Sequence, residues 1–272
     1  MECGLHEGPS YPRAPCIDSR TVPPQLLSGF SEEGGRVMRN ILKWARVSRA
    51  MLAMVRNADQ ADRVFDLIEA LYASSDAAKK MVERMSRDPE LARVLRERPR
   101  LGHLDLEALG RLPSGTLGRV LADQLREYGV DPNVLRVQQA PDAASYVKAH
   151  LFETHDLWHV VTGFPPDSAG ELGLQSFYFA QHGTRVSMGV FVTGLAFTFL
   201  HRFELCEVAM PQVVRGWLLG RKARRLFGTD WKQLLAQPLE EVRATLGLEL
   251  DAVDTFVREC EAARLSTVTV QA

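Results

Sequence analysis

The stretch His155-Asp156-Leu157-Trp158-His159-Val160-Val161-Thr162-Gly163, followed by Phe164-Pro165-Pro166-Asp167-Ser168-Ala169-Gly170-Glu171, governs how the rest of the chain is read. Placed on a helix, His155 and His159 are i and i+4 and stack on one face. Asp156 lies about 100° around the axis from His155, so His159 falls between the two and all three share one arc. Leu157, Val160 and Val161 take other faces. Gly163 and the Pro165-Pro166 pair end the helix. Asp167 or Ser168 opens the next helix and places Glu171 in its first turn. Two imidazoles and two carboxylates therefore come from two helices joined by a tight loop. His155, Asp156, His159 and Glu171 together suit a divalent metal of borderline hardness, zinc first, with iron(II), manganese or cobalt as the other fits.

Other readings use the same residues. A helical HxxxH pair also arises on solvated faces and in hydrogen-bonded cores. Ser168-x-x-Glu171 is a legal capping box, in which the carboxylate ties down backbone N–H groups instead of a metal. The HDxxH spelling is close to the HExxH of zinc peptidases, where the middle acid is a general base. Asp is one methylene shorter and reaches a metal-bound water less easily, which sets the peptidase reading aside. Asp156 is read first as a ligand or as an orienter of ligands, and second as a base.

The pattern HDxxH, eleven residues, then Glu, with Gly163 and Gly170 inside it, resembles the coenzyme Q (ubiquinone) biosynthesis protein 4 family. The resemblance extends over about residues 36 to 250. Leu112-Pro113-Ser114-Gly115-Thr116-Leu117-Gly118 resembles the family's LPxGTLG segment. Asp230-Trp231 followed by Pro238-Leu239-Glu240-Glu241-Val242-Arg243 resembles its C-terminal segment. One departure stands out: His150 and Phe152 occupy places where the family pattern carries basic residues, often arginine, shortly before the HD pair. If those arginines hold an acidic substrate group, this chain binds a different substrate.

The chain has 272 residues, of which 46% are hydrophobic and 25% charged, an ordinary soluble balance. A net charge of −1, from 33 basic and 34 acidic residues, argues against nucleic acid as the main partner. Cysteines at 3, 16, 206 and 260 form no CxxC pair, so a reducing compartment fits and a disulfide framework does not. Residues 1–35 are rich in Pro and Gly and have no apolar signal core, so they are expected to be a disordered tail. Met38 is a second candidate start.

From Arg36 onward apolar residues recur at helical spacing, as in Val64, Ile68, Leu71 and Tyr72, or Leu91, Val94 and Leu95. Asp88-Pro89 and Pro141-Asp142 are helix starts. Pro113, Gly115 and Gly118 punctuate a turn that lacks the Lys-Ser/Thr of a nucleotide loop. Val186 to Leu200 carries no charge but is shorter than the roughly 20 residues of a membrane span. It is read as a buried helix, with a pocket wall for a prenyl tail as the functional alternative. A homodimer through its apolar surface is the oligomer the sequence allows. Arg215, Arg221, Lys222, Arg224 and Arg225 read as a solvated basic face, or as a site for anionic lipid headgroups. No run alternates long enough for a sheet. The expected fold is a single all-α domain of eight or more helices with an apolar interior pocket, covering 36–265, with a tail at 266–272.

Two function classes follow. The resemblance implies a metal-dependent enzyme of quinone head-group maturation, removing the ring C1 carboxyl of a prenylated aromatic acid with hydroxylation at the same carbon. The alternative is a non-catalytic prenyl-lipid scaffold that organises other quinone-biosynthesis enzymes at the membrane around a structural metal. Either is expected in the cytoplasm, peripheral to the inner membrane.

Overall fold

A computed structural model describes residues 45–53, 55, 61–73, 77–131 and 139–259. Contacts divide the chain into units 1–42 and 43–272, and every described helix belongs to the second. The proposed tails at 1–35 and 266–272 and the candidate start at Met38 lie outside the described residues. Among those residues there is no strand, only an isolated bridge between Thr116 and Pro238, as expected of an all-α chain.

Helical turns at 45–53 precede α1 (Ala61–Ala73), α2 (Ala77–Met85), α3 (Pro89–Glu97), α4 (Leu106–Gly110) and α5 (Leu117–Glu127). Then come α6 (Ala143–Thr162), α7 (Ser168–His182), α8 (Arg185–His201), a 3-10 turn at Phe203–Leu205 and α9 (Cys206–Lys222). Two short helices, α10 (Trp231–Leu234) and α11 (Leu239–Leu246), lead to a last one over 250–259. The starts read from the sequence are the observed ones. Asp88 accepts from the Glu90 and Leu91 N–H groups with Pro89 at the first helical position, and Asp142 forms a reciprocal capping box with Ser145.

The core forms around α6, which presents Leu157, Trp158, Val160 and Val161 to α5, α7, α9 and α11. Trp158 stacks on Tyr178 at 4.3 Å between ring centroids and meets Phe177 edge-on at 5.7 Å. Burying side chains of this size supplies about 1.5–3 kcal/mol each. Helices α7 and α9 touch backbone to backbone, for a Cβ on Gly216 would stand 2.0 Å from the Gly173 carbonyl oxygen. The end of α6 is held by two arginines. Arg243 donates to the Val160 and Val161 carbonyls, both at 3.0 Å, and Arg215 donates to the Thr162 carbonyl at 2.9 Å. These are orphan helix-terminal acceptors, and cations suit that end of the dipole.

Two readings are changed. Arg215 does not belong to the solvated basic face: its side chain is 11% exposed and pairs with Asp254. The Leu112–Gly118 turn leads into α5 at Leu117. Its backbone takes up the C-terminal segment, with Leu117 N–H on the Gln237 carbonyl at 2.9 Å and Gly118 N–H on that of Leu235 at 2.8 Å. The run Val186 to Leu200 is not wholly buried. Val190, Thr193 and Phe197 are, whereas Val192, Phe199 and Leu200 are exposed. A charge-free run reads alike whether it faces a core or the outside.

Candidate metal centre

Helix α6 ends at Gly163, whose φ of 71° is left-handed, with its N–H on the His159 carbonyl. The chain then turns through Phe164-Pro165-Pro166 so tightly that a Cβ on Gly170 would lie 2.0 Å from the Pro165 carbonyl oxygen. Asp167, not Ser168, caps α7, accepting from Gly170 N–H at 2.8 Å. That choice decides the role of Glu171. The capping box at Ser168 is not used, and the Glu171 carboxylate turns back across the loop to α6.

His159 Nε2 lies 3.0 Å from Glu171 Oε1 and 3.2 Å from His155 Nε2, and the third side of the triangle, His155 Nε2 to Glu171 Oε1, is 3.6 Å. His159 Nδ1 stands 3.0 Å from the Phe164 carbonyl oxygen, which can only accept, so Nδ1 carries the proton and a neutral ring presents a bare Nε2 to the cluster. His155 Nδ1 lies 3.4 Å from the Tyr178 hydroxyl. Three donor atoms from two helices thus converge within 4.8 Å of one another. Ligands at zinc–nitrogen distances of about 2.0–2.1 Å in a tetrahedron stand about 3.3 Å apart, so the triangle fits one face of such a site. The donor set, two imidazoles and a carboxylate with room on the cavity side, is that of an open metal site. Burial pushes the Glu171 carboxyl up, but hydrogen bonding and charge from His155 and then His159 outweigh it and hold the group well below the usual carboxylate range.

Asp156 is the sequence-expected ligand that the fold does not bring into this group. It stands beside it on the wall of a cavity of about 1230 Å³, which His155 and Glu171 also line. His159 is buried behind them. The cavity exceeds the roughly 300–1,000 Å³ of ordinary small-ligand sites. Its lining continues from Glu171 along α7 to His182, about 16 Å at 1.5 Å per residue. Leu172, Tyr178, Val190 and Phe197 give it apolar walls, so part of the Val186 to Leu200 run is the pocket wall that the sequence offered as an alternative.

The two positions where arginine is expected have separate fates. Phe152 lines the cavity. His150 is buried away from the cluster, with Nδ1 toward the Pro99 carbonyl at 3.3 Å and Nε2 accepting from Gly228 N–H at 3.2 Å. It is a packing residue, and burial pushes its pKa down to about 4. Lys148, a cation of the same turn on the cavity wall, pairs with Glu69. Sequence reasoning did not single out Tyr178 as a partner of His155. Its spacing of seven from Glu171, two helical turns, is the only signal that places it on the same face.

The sequence profile of the family described as coenzyme Q (ubiquinone) biosynthesis protein Coq4 matches residues 38–251. A mitochondrial ubiquinone biosynthesis protein COQ4 of Yarrowia lipolytica is 34% identical over 178 residues, 62% of this chain and 66% of that protein. One of Aspergillus fumigatus is 32% identical over 203 residues, 71% of this chain and 68% of that protein. The chain thus spans about two thirds of the length of these relatives. A crystal structure of a candidate ubiquinone biosynthesis protein from Nostoc punctiforme is similar with a TM-score of 0.67 and 29% identity, over 75% of this chain and 98% of that one.

Proposed function

The chain belongs to the coenzyme Q (ubiquinone) biosynthesis protein Coq4 family, and from that premise we propose that it is a metal-dependent enzyme acting on a prenylated aromatic acid, replacing the C1 carboxyl of the ring by hydroxyl. The observation that carries the reading is the convergence of His155, His159 and Glu171 at the wall of a long apolar cavity. A polar pole beside an apolar corridor suits an aromatic acid with a hydrocarbon tail.

In this reading His155 and His159 bind a divalent cation through Nε2 and Glu171 through its carboxylate, with zinc, iron(II), manganese or cobalt compatible with the donors. Bound there, the cation supplies Lewis acidity toward a carboxylate or phenolate oxygen, and oxygen chemistry in addition if it is iron. The remaining work falls to the chain. The Phe164 carbonyl fixes the tautomer of His159. Tyr178 orients His155 and faces the cavity. In this reading Asp156, on the cavity wall, takes the proton of a ring hydroxyl. Leu172 and Phe197 keep water from the tail. With Phe152 on the wall, the substrate carboxylate is met chiefly by the cation, in place of an arginine. The net reaction balances as two aromatic acids and one dioxygen giving two phenols and two carbon dioxides.

The test is carbon dioxide release from a carboxylated prenyl-phenol by the metal-loaded protein. His159→Ala is expected to abolish turnover while circular dichroism stays unchanged. Undiminished turnover by that variant would overturn the reading.

A second reading has an observation of its own, since the cluster ties α6 to α7 across the turn. A metal there is then a structural clamp, and the protein holds prenyl lipid for other quinone-biosynthesis enzymes. It predicts a large fall in melting temperature on chelation, lipid retained through purification, and no turnover.

A further inference from the structure

The two ends of the cavity differ in charge. Asp156, Asp167 and Glu171 stand on its wall at the end that holds the metal triangle. Arg84, Arg221 and Arg225 stand on it at the other end, beside the turn between α7 and α8, about 16 Å away along α7. The acid among these cations is Asp88. Its Oδ1 is already engaged by the Glu90 and Leu91 N–H groups, and its Oδ2 lies 3.4 Å from Arg225 Nε. Three guanidinium groups thus face one carboxylate.

The packing of α7 brings them together. Gln181 Nε2 donates to the Gly220 carbonyl at 2.9 Å, and its Oε1 accepts from Leu226 N–H at 3.0 Å. That clamp ties the end of α7 to the stretch that carries Arg221 and Arg225. Arg84 donates to the Gly183 carbonyl at 3.3 Å and so covers the negative end of α7. Helix α8 starts one residue later. Thr184 and Ser187 form its capping box and line the cavity, so the positive end of a 17-residue helix meets the same wall.

His182, the last residue of α7, sits among these groups on the cavity wall. Its ring packs against Trp158 at 5.6 Å and Phe227 at 6.0 Å, and the Arg225 charge acts on it. Its Nε2 is buried and has no hydrogen-bond partner. Aromatic packing explains the ring and not the nitrogen, for a phenylalanine would pack as well. A buried polar nitrogen left unpaired is costly. An acceptor oxygen brought by a ligand removes that cost, and a negative charge on it also answers the arginines.

We propose that the end of the cavity at the Gly183–Thr184 turn is an oxyanion subsite, in which Arg84, Arg225 and His182 Nε2 hold a phosphate or similar group far from the metal triangle. The group is either a free anion or the end of an aliphatic chain laid along the corridor. The subsite owes nothing to the metal, so the proposed function and the subsite stand or fall in different measurements.

The test titrates the full chain, as purified, with inorganic phosphate, octyl phosphate and octanol by calorimetry, at an ionic strength held constant with sodium chloride. Phosphate is expected to bind. Arg84→Gln, Arg225→Gln and His182→Phe should each weaken it about tenfold, the two arginine variants with little change in melting temperature because both side chains are exposed. His159→Ala, which removes a corner of the metal triangle, should leave phosphate affinity unchanged. In proton NMR, the imidazole resonance that His182→Phe removes should shift with phosphate and not with octanol. Octyl phosphate binding about tenfold or more tighter than phosphate would assign the anion to a chain-bearing ligand, and equal affinities would assign it to a free anion. Absence of binding by both phosphates would overturn the proposal. So would binding that His159→Ala abolishes and the arginine variants keep, since the anion would then sit on the metal.

Discussion

The carbonyl oxygen of Phe164 accepts a hydrogen bond from His159 Nδ1 at 3.0 Å. This contact across the turn after α6 fixes which nitrogen of His159 is available to the cluster. Elemental analysis of the purified protein is expected to give one divalent metal per chain. His155→Ala, His159→Ala and Glu171→Gln should each lose it, because each removes one corner of the triangle. Asp156→Asn should keep full stoichiometry, since its carboxylate stands outside that group. Loss of metal in Asp156→Asn equal to that in Glu171→Gln would restore Asp156 as a ligand.

Tyr178 is the partner of His155 Nδ1 at 3.4 Å, and its ring is locked by stacking on Trp158. Removing a group that orients a metal-bound imidazole typically costs about 10–100-fold in metal affinity. Tyr178→Phe keeps the stacking and deletes only the hydroxyl. Competition with a chelator should show weaker metal binding at the low end of that range, with the melting temperature of the metal-free protein little changed. An unaltered chelator titration would reduce Tyr178 to a packing residue.

Arg243 and Arg215 belong to the site although neither touches it. By taking the Val160, Val161 and Thr162 carbonyls they fix the end of the helix that carries both histidines. Hydrogen bonds from a charged donor contribute about 1.5–3 kcal/mol. Arg243→Ala is expected to destabilise the fold by about that amount in urea denaturation, with metal content falling as the helix end frays. Arg243→Lys should recover only part, because one ammonium cannot reproduce the planar fork on two carbonyls. Full stability in Arg243→Ala would refute the capping role.

Much of the centre was legible because its grammar is local. Asp142 and Ser145, the i and i+4 histidines, Gly163 and the two prolines each act within a few residues, so the helix and its stop could be read directly. Register at the next start was not legible. Asp167 and Ser168 are both good caps; the structure uses the first, which leaves Glu171 outside a capping box. Partnerships made across long sequence separations were also hidden. Arg215 looks like its neighbours Arg221 and Lys222 until Asp254 and the end of α6 are placed beside it. The outward face of α8 entered only as a homodimer surface beside the reading of a buried helix, since composition records how apolar a run is and not what covers it.

His150, buried, and His182, half-buried on the cavity wall, set a pH dependence outside the metal triangle. Burial pushes His150 down to about 4. Burial, then the charges of Arg225 and His150, push His182 down to about 3, and its Nε2 has no hydrogen-bond partner. Unfolded, each titrates near 6.5. Both rings are therefore neutral in the fold, and between about pH 6.5 and 4 the unfolded chain binds more protons than the folded one. The linkage slope is then positive, so stability is fully present above the unfolded value and falls as pH drops through this window, by up to about 1.4 kcal/mol per pH unit for each ring. Glu171, held below the usual carboxylate range, adds loss in the same direction only at lower pH. Melting temperature should stay nearly level from pH 7.5 to about 6.5 and fall from there to pH 5. His182→Phe keeps an aromatic ring against Trp158 and Tyr178 and removes one of the two titrations, so its melting temperature should fall with about half the slope. A slope unchanged by that substitution would show that the acid sensitivity arises elsewhere.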